Sequence, residues 1–392
     1  MSLLARLLIV TFIESLATTL IERGIFFFSH DRLAFTDTEN LGMALAFGVM
    51  YVVGALGSHG LARRFGEKRV LVLAVIAQMA VHATLVVWHE SATLVVLNAV
   101  LGGLNGLKWP VIESYVSAGR TPAEQAKTVG RFNLSWAPAV PVGLVLAGPL
   151  IAWSAQSFFA VAGALNLISL VLIRPLDARP THLPPDHPER PTEETLARLR
   201  GLLAASRSAM FASYSLMWIL AAMLPGVYTG LGVAVTVATS LSGLIDVFRT
   251  MAFLVLQFYH GWHNRSWPVL VVLAGLPGGF LLVLYSPNVA MVLAGEVIFG
   301  LAAGMTYHAA LYYAMIVKNA AVEAGGAHEG LIGAGFAVGP IAGLAGGVLA
   351  GYVGGAAAGM LLGVSPIVLG CSAAAAWFLV RTRRQAPRQR ST

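Results

Sequence analysis

Charged side chains are scarce in this 392-residue sequence: Lys, Arg, Asp and Glu make up 11% of it, while hydrophobic residues make up 57%. A soluble domain has about a quarter of its residues charged, so the composition excludes an ordinary soluble fold. The charges also cluster, because apolar windows of about 20 residues alternate with short charged stretches, as in membrane-spanning helices. Spans of a β-barrel are shorter and alternate in polarity, so we predict an all-α polytopic membrane protein.

Cysteine occurs once, as Cys371 in an apolar stretch. An intramolecular disulfide is therefore impossible, and we interpret Cys371 as a small buried apolar residue. No cleavable signal peptide is indicated, because the first apolar run is too long for a signal core and lacks a small-residue cleavage site. The sequence also lacks a Walker loop, so ATP-driven transport by this chain is not expected.

Hydropathy predicts twelve spans, an even number that puts both termini on one side of the membrane. The loops after even-numbered spans and the two ends hold nearly all Lys and Arg, whereas the opposite loops hold only Arg32. By the positive-inside rule both termini face the cytoplasm, in a multi-pass protein of the cell (inner) membrane. The net charge of +7 then reflects these loops, and no nucleic acid partner is expected. The spans are expected at 4–29, 40–62, 70–88, 92–118, 129–152, 156–173, 208–229, 234–259, 268–285, 289–317, 330–353 and 355–380.

The longest gap between predicted spans lies near the midpoint of the chain, and its first half is too rich in proline for regular structure. In its second half Thr192 is a suitable helix N-cap, and leucines recur at helical spacing, which predicts a short amphipathic helix on the membrane surface. The predicted domains are a six-helix half at 1–173, a cytoplasmic linker at 174–207, a second six-helix half at 208–380 and a basic tail at 381–392.

Spans 4 and 10 are weakly similar to each other. Span 4 contains "LGGLNGLKWPVIESY" and span 10 contains "FGLAAGMTYHAALYY", so that Gly106 corresponds to Gly304 and Trp109 to Tyr307. Parallel repeats of this kind characterise one class of secondary transporter, in which the binding site lies between the two halves.

The loop between spans 2 and 3, "GLARRFGEKRVL", resembles the signature that the major facilitator superfamily carries there, broadly G-x-L-A-D-R-x-G-R-K. Leu61, Ala62, Arg64, Gly66 and Lys68 match this signature. The usual Asp is replaced by Arg63 and the usual second Arg by Glu67.

This resemblance implies a bundle of twelve helices in two halves, in which spans 1, 4, 7 and 10 line a central cavity that opens alternately to each side. It also implies a gating loop formed by Arg64, Gly66, Glu67 and Lys68. In the family the acidic residue anchors a contact between the halves at the cytoplasmic face. Either Glu67 takes that part here, or the contact is absent.

Charges inside spans are costly, and they face a cavity or a partner. At about 1.5 Å per residue, Glu14 and Lys108 fall near the middle of spans 1 and 4, so we expect them to be neighbours at the central site. There Glu14 can switch its protonation and couple transport to protons. The alternative is a static ion pair that fixes the helices in register. Span 7 carries no charge in its middle, which the simple picture does not predict.

Other polar residues in the spans have two interpretations each. Asp246 and Arg249 are three residues apart on span 8, so they can pair on one helix face, at the site or simply within the bundle. Trp109 lies next to Pro110 and forms either an aromatic wall of the cavity or a packing contact. His308 is either a ligand-binding residue or a hydrogen-bonded packing residue.

The stretch "IERGIFFF" in span 1 carries Glu22 and Arg23 side by side, and on a helix these point about 100° apart. We therefore expect separate partners, with Glu22 facing the outer cavity as a proton or gate residue near Glu296, and Arg23 reaching a neighbouring helix or the outer interface. In the alternative both are interfacial residues. "TLIERGIFF" is similar to E-x-x-E-R-F-x-Y-Y of the peptide transporters, but Thr19 and Gly24 depart from it, so peptides stay one candidate substrate among several.

Span 11 contains the run "GAGFAVGPIAGLAGG", whose small residues favour close helix packing. In the loop expected before it, His328 and Glu329 lack the second histidine of an H-E-x-x-H zinc site, and no metal site or cofactor is expected. The candidate substrate- or proton-binding residues are Glu14, Glu22, Arg23, Lys108, Trp109, Glu113, Asp246, Arg249, Glu296, Tyr307, His308 and Tyr312.

The leading functional hypothesis is a monomeric, proton-coupled secondary transporter of a small polar or amphiphilic solute. The charged cavity favours a zwitterion, a sugar or an organic anion over an apolar drug, because buried charges need partners. One alternative is a polytopic membrane transferase, although the only long loop, 174–207, lacks a recognisable catalytic motif. Another is a sensor or partner subunit that has the transporter fold but does not transport.

Overall fold

The computed structural model describes residues 2–180, 192–263, 265–317 and 322–385, and within these ranges the regular structure is helical, with no strand. The proline-rich stretch 181–191 and the end of the tail, 386–392, lie outside the described residues. The α-helices are α1 (Leu3–Glu22), α2 (Gly24–Leu33), α3 (Asp37–Phe65), α4 (Glu67–Val87), α5 (Ser91–Ser117), α6 (Pro122–Trp136), α7 (Ala139–Trp153), α8 (Ala155–Ile173), α9 (Glu193–Gly230), α10 (Val235–Ser242), α11 (Leu244–Phe258), α12 (Trp267–Tyr285), α13 (Val289–Val317), α14 (Val322–Val353) and α15 (Ala356–Gln385).

Among the described residues, twelve helical segments are long and apolar enough to cross a membrane, which confirms the predicted all-α polytopic fold. Three of the spans consist of two consecutive helices, namely α1 with α2, α6 with α7, and α10 with α11. In the first of these the break falls at Arg23, whose backbone N–H still donates to the Thr19 carbonyl at 3.1 Å. The break therefore occurs at the charged pair that interrupts the apolar run.

One boundary differs from the prediction in a way that matters for the site. Span 11 was expected to begin at residue 330, but α14 begins at Val322, so His328 and Glu329 lie within a helix and not in the loop before it. The predicted start is too late because these two polar residues lower the mean hydropathy of the sequence window that contains them. Both side chains are buried in the protein, at 0% and 4% exposure respectively.

The amphipathic segment expected after the linker is helical, and the Thr192 side chain caps it by accepting from the Thr195 backbone N–H. It is not a separate helix on the membrane surface, because α9 runs from Glu193 into the span without a break and packs against α15. This continuity holds its apolar face inside the bundle. The buried leucines are Leu196, Leu199, Leu202 and Leu203.

The two halves of the chain, α1–α8 and α9–α15, meet along several pairs of helices, among them α3 with α14, α7 with α10, α5 with α14 and α6 with α13. Small residues allow the close approach expected for span 11, where Gly339 of α14 lies against the Ser215 backbone of α9. Between these contacts the halves enclose a cavity.

Candidate functional site

A cavity of about 100 Å³ lies between the two halves. It is lined by α1, α3, α5, α6, α7, α9, α11, α13 and α14, so spans 2, 5, 8 and 11 contribute as well as the expected 1, 4, 7 and 10. Aromatic and charged residues dominate its walls. They are Glu22, Arg23, Tyr51, Trp109, Glu113, Phe132, Trp136, Tyr214, Trp218, Asp246, Arg249, Tyr307, Glu329 and Phe336.

Three charged residues form a buried chain across the cavity. Arg23 Nη1 lies 3.2 Å from Asp246 Oδ2, and Arg249 Nη1 lies 3.5 Å from Asp246 Oδ1. Arg23 was expected to reach either a neighbouring helix or the outer interface. It reaches a helix, α11, and that helix belongs to the other half. Two guanidinium groups share one carboxylate, so this wall of the cavity carries a surplus of positive charge.

Aromatic rings surround the guanidinium of Arg249. It donates a hydrogen bond to the Tyr214 hydroxyl, and it lies 4.6 Å from the ring centroid of Trp136 and 5.2 Å from that of Tyr307. Cation–π contacts of this kind stabilise a desolvated cation and hold it in one place. The same rings present flat apolar surface to the cavity, beside the charge.

A second group of charges faces the cavity from α5 and α14. Carboxylate oxygens of Glu113 and Glu329 and a ring nitrogen of His328 lie within 4.8 Å of one another. The Tyr51 hydroxyl of α3 donates to Glu329. This part of the wall is acidic, in contrast to the part around Arg23 and Arg249.

Glu22 lines the cavity and is only partly buried. Among the described residues it takes part in no hydrogen bond or ion pair, although Arg23, Lys108, Glu329 and Arg249 act on it electrostatically. No hydrogen bond or ion pair joins Glu22 to Glu296 among the described residues, although Arg23 acts on Glu296 electrostatically. Glu296 is buried in the second half, where it accepts a hydrogen bond from the Tyr228 hydroxyl at 2.9 Å, and it does not line the cavity.

Glu14 and Lys108 are neighbours, as expected: Lys108 Nζ lies 2.7 Å from Glu14 Oε2, and both side chains are fully buried. The pair does not line the cavity, however, because it lies among α1, α4, α5 and α8 of the first half. Asn166 donates to both Glu14 oxygens, and Lys108 also donates to Thr18 and Gln78. Such complete pairing favours the static interpretation.

The remaining candidates divide between the cavity and the core. Trp109 and Tyr307 line the cavity. His308 does not, since its ring nitrogen pairs with the Asn133 side chain at 3.2 Å, between α13 and α6. Tyr312 also lies off the cavity and stacks on the ring of His263, at 4.7 Å between centroids. Outside the spans, burial lowers the pKa of the His263 imidazole, and the nearby His260 acts in the same direction.

The expected gating loop joins α3 to α4 at Gly66, which has a φ of 86°. Lys68 Nζ donates to the Arg174 carbonyl at 2.8 Å, and the Arg64 guanidinium lies 5.1 Å from the ring centroid of Phe65. Glu67 makes no ion pair or hydrogen bond to the second half within the part of the chain that is described. These contacts tie the loop to its own half.

Several cavity residues escaped the sequence analysis. Glu329 was assigned, with the neighbouring His328, to a loop, so the rule that a charge inside a span faces a cavity or a partner was not applied to it. Tyr214 and Trp218 are four residues apart on α9, a helical spacing that puts both on the cavity side. This spacing of two aromatic residues is a sequence signal for a cavity wall. Span 7 carries no charge in its middle, and charge was the criterion by which cavity residues were predicted.

One family model matches most of the chain: the model described as Major Facilitator Superfamily covers residues 4–327. The crystal structure of a bacterial homolog of the human lysosomal transporter Spinster, inward-facing and unoccupied, is similar with a TM-score of 0.68 and 13% identity over 98% of each chain. The crystal structure of a mutant of the nucleoside transporter NupG has a TM-score of 0.66 and 12% identity, over 97% of this chain and 99% of that one. At these identities the similarity concerns the fold. A search of curated proteins gave no match.

Proposed function

Because the chain belongs to the major facilitator superfamily, we propose that it is a secondary active transporter that moves a small polar or amphiphilic solute by alternating access, driven by protons. The family and the two transporter folds support membrane transport as the general function. The observation that carries the finer proposal is the cavity between the halves, with charges of both signs in its walls.

Alternating access requires contacts between the halves that can open. The pair Arg23–Asp246 is such a contact, because Arg23 follows α1 in the first half and Asp246 lies on α11 in the second. Separating the halves leaves Arg23 in need of new partners, whereas Asp246 keeps Arg249 on its own helix. A bound solute or water can supply them, so occupancy of the cavity and movement of the halves are linked.

Glu22 is the residue that we propose as the proton carrier. Its carboxylate faces the cavity, and no cation is fixed to it by an ion pair, whereas the neighbouring Arg23 is committed to Asp246. A carboxylate in this position can gain or lose a proton as the cavity opens to one side or the other. Glu14 is a weaker candidate, because Lys108 and Asn166 already satisfy its charge.

The distribution of charge supports a solute with two kinds of polar group. Arg23 and Arg249 give one wall a positive surplus, and Glu113 and Glu329 make another wall acidic. Aromatic faces lie between them, with Trp136 and Tyr307 at Arg249. A zwitterion with an apolar or aromatic portion matches this arrangement best. We include nucleosides among the candidate solutes because one of the similar structures is that of the nucleoside transporter NupG.

The positive-inside pattern supports a position in the cell (inner) membrane with both termini in the cytoplasm. We propose that one chain forms the transport unit, since the two halves of a single chain enclose the cavity.

The test uses the purified full-length protein in liposomes that enclose a pH-sensitive dye. Amino acids, nucleosides, sugars and organic anions are added one at a time, with and without an imposed pH gradient. We expect at least one zwitterionic or amphiphilic solute to move protons and to accumulate, and a protonophore to abolish that accumulation. Labelled solute that equilibrates equally with and without the gradient would contradict proton coupling, while no uptake of any solute would contradict transport of this class.

A further inference from the structure

Three buried side chains from two helices converge beside the cavity. Glu113 comes from α5 of the first half, and His328 and Glu329 come from α14 of the second half. One ligand atom from each lies within 4.8 Å of the other two. This cluster, Glu113 with His328 and Glu329, is separate from the chain of Arg23, Asp246 and Arg249.

His328 has no hydrogen-bond partner among the described residues, and Glu113 is paired only with Glu329. Both ring nitrogens of His328 are buried without a hydrogen bond, and the buried carboxyl group of Glu113 lies against that of Glu329. The backbone of α14 approaches Glu113 at Gly325, which has no side chain to offer a donor. Buried polar groups are almost always satisfied, so the two unpaired nitrogens of His328 beside two carboxyl groups indicate a missing ligand.

The third member is held in position. Tyr51 donates its hydroxyl hydrogen to Glu329, and the ring of His328 lies against Tyr307 with the centroids 5.2 Å apart. Outer contacts of this kind orient the side chains that bind metals and are characteristic of metal sites.

We propose that Glu113, His328 and Glu329 bind a divalent transition metal ion, with Zn²⁺ as the reference ion, between the two halves of the protein. One imidazole nitrogen and two carboxylates form a donor set that suits zinc and its neighbours in the first row, and the two carboxylates balance the charge of the ion. Zinc binds nitrogen and oxygen at about 2.0–2.2 Å, and rotation of the two flexible glutamate side chains brings the three atoms within that reach.

The sequence did not suggest this site, because the local motif at His328 and Glu329 lacks a second histidine. The third ligand, Glu113, is more than 200 residues away in the chain and is brought in only by the packing of α5 against α14. An ion bound here joins the two halves, so it stabilises the arrangement in which α5 and α14 are in contact. Opening of the cavity at this end would require the ion to leave.

The test is a ZnCl₂ titration of the purified protein in detergent, followed by calorimetry and by thermal unfolding. His260 and His263, whose ring centroids are 5.2 Å apart outside the spans, are both changed to Gln in the background, because they offer a second place for zinc. We expect one saturable site and a raised Tm. Removal of outer-shell partners of a metal weakens binding about 10–100-fold, so Glu113→Gln and His328→Gln are expected to weaken it by about 100-fold or more.

Glu296→Gln and His308→Gln are the matched controls, since they replace a buried glutamate and a buried histidine that lie off the cluster. Zinc affinity unchanged in these controls and lost in the cluster variants supports the site. Equal affinity in all variants, or no saturable binding, overturns it, and a carboxylate pair that binds only a proton is then the simpler account.

If the cluster variants do not fold, the spectrum of the Co²⁺-loaded background protein decides. Bands of a cobalt ion with nitrogen and oxygen ligands, displaced by one equivalent of Zn²⁺, support the site, and their absence contradicts it. None of these measurements needs a solute or a gradient, so their failure is distinct from failure of the proposed transport.

Discussion

Arg23 and Asp246 are 223 positions apart in the sequence, yet their side chains meet at 3.2 Å across the boundary between the two halves. Asp246 also holds Arg249, at 3.5 Å, so one carboxylate on α11 serves a cation from each half. Both arginines depend on it, because all three side chains are buried. The contact between the two halves at this position therefore depends on Asp246.

Asp246→Asn is expected to destabilise the protein by about 3–5 kcal/mol, because it leaves buried guanidinium groups without a counter-charge. The measurement is the thermal unfolding temperature of the purified protein in detergent. Adding Arg23→Gln to Asp246→Asn is expected to recover part of the loss. Asp31→Asn serves as the control, since Asp31 pairs with Arg32 at the exposed surface and such pairs contribute only about 0–1 kcal/mol. Equal losses in the two single variants would contradict this account.

Glu22→Gln is expected to abolish solute accumulation driven by a pH gradient while exchange of solute across the membrane continues. The amide behaves as a permanently protonated carboxyl group, so exchange becomes independent of pH in the variant, whereas in the unaltered protein it increases as pH falls on the side of uptake. Transport in liposomes at several pH values measures both. Glu296→Gln, a buried carboxylate off the cavity, is expected to retain coupling. A Glu22→Gln protein that still accumulates solute would remove Glu22 as the carrier.

Lys108→Met is expected to destabilise the first half by about 3–5 kcal/mol, because Glu14 loses the cation that lies 2.7 Å away in a fully buried position. The double variant Glu14→Gln with Lys108→Met removes both charges, and we expect it to unfold at a higher temperature than Lys108→Met alone. If the pair is static, the folded double variant also keeps gradient-driven transport. Loss of coupling in that folded variant would return Glu14 to the list of proton carriers.

Gly106→Ala is expected to destabilise the protein by about 1–3 kcal/mol, since a Cβ at this position would lie 2.1 Å from the Tyr51 carbonyl oxygen and force α3 away from α5. Gly57→Ala on α3 is the matched control, because no atom lies within 4 Å of its added Cβ. Alanine also favours a helix interior, so the control is expected to unfold at the same temperature or higher. Similar losses in both variants would show that helix packing is not the cause.

The number and type of the spans were predictable because they depend on local composition. A helix that crosses a bilayer must be apolar over about 20 residues, so its length and approximate position can be read from hydropathy alone. The limit of this prediction appears at α14, where His328 and Glu329 lower the local hydropathy and conceal the eight residues of helix before the predicted start. Polar side chains inside a membrane-spanning helix lower its hydropathy, so they weaken the signal from which that helix is predicted.

The sequence by itself determined that the charged residues inside the predicted spans need partners, since a charge within a membrane span is costly at any position. It also brought Glu14 and Lys108 together, because depth along two helices is a local property. Only the tertiary structure decided that this pair is in the core while Arg23 reaches Asp246, and that Glu113 meets His328 and Glu329. The physical reason is that depth fixes one coordinate of a side chain, whereas its neighbours depend on the rotation and packing of helices distant in the chain.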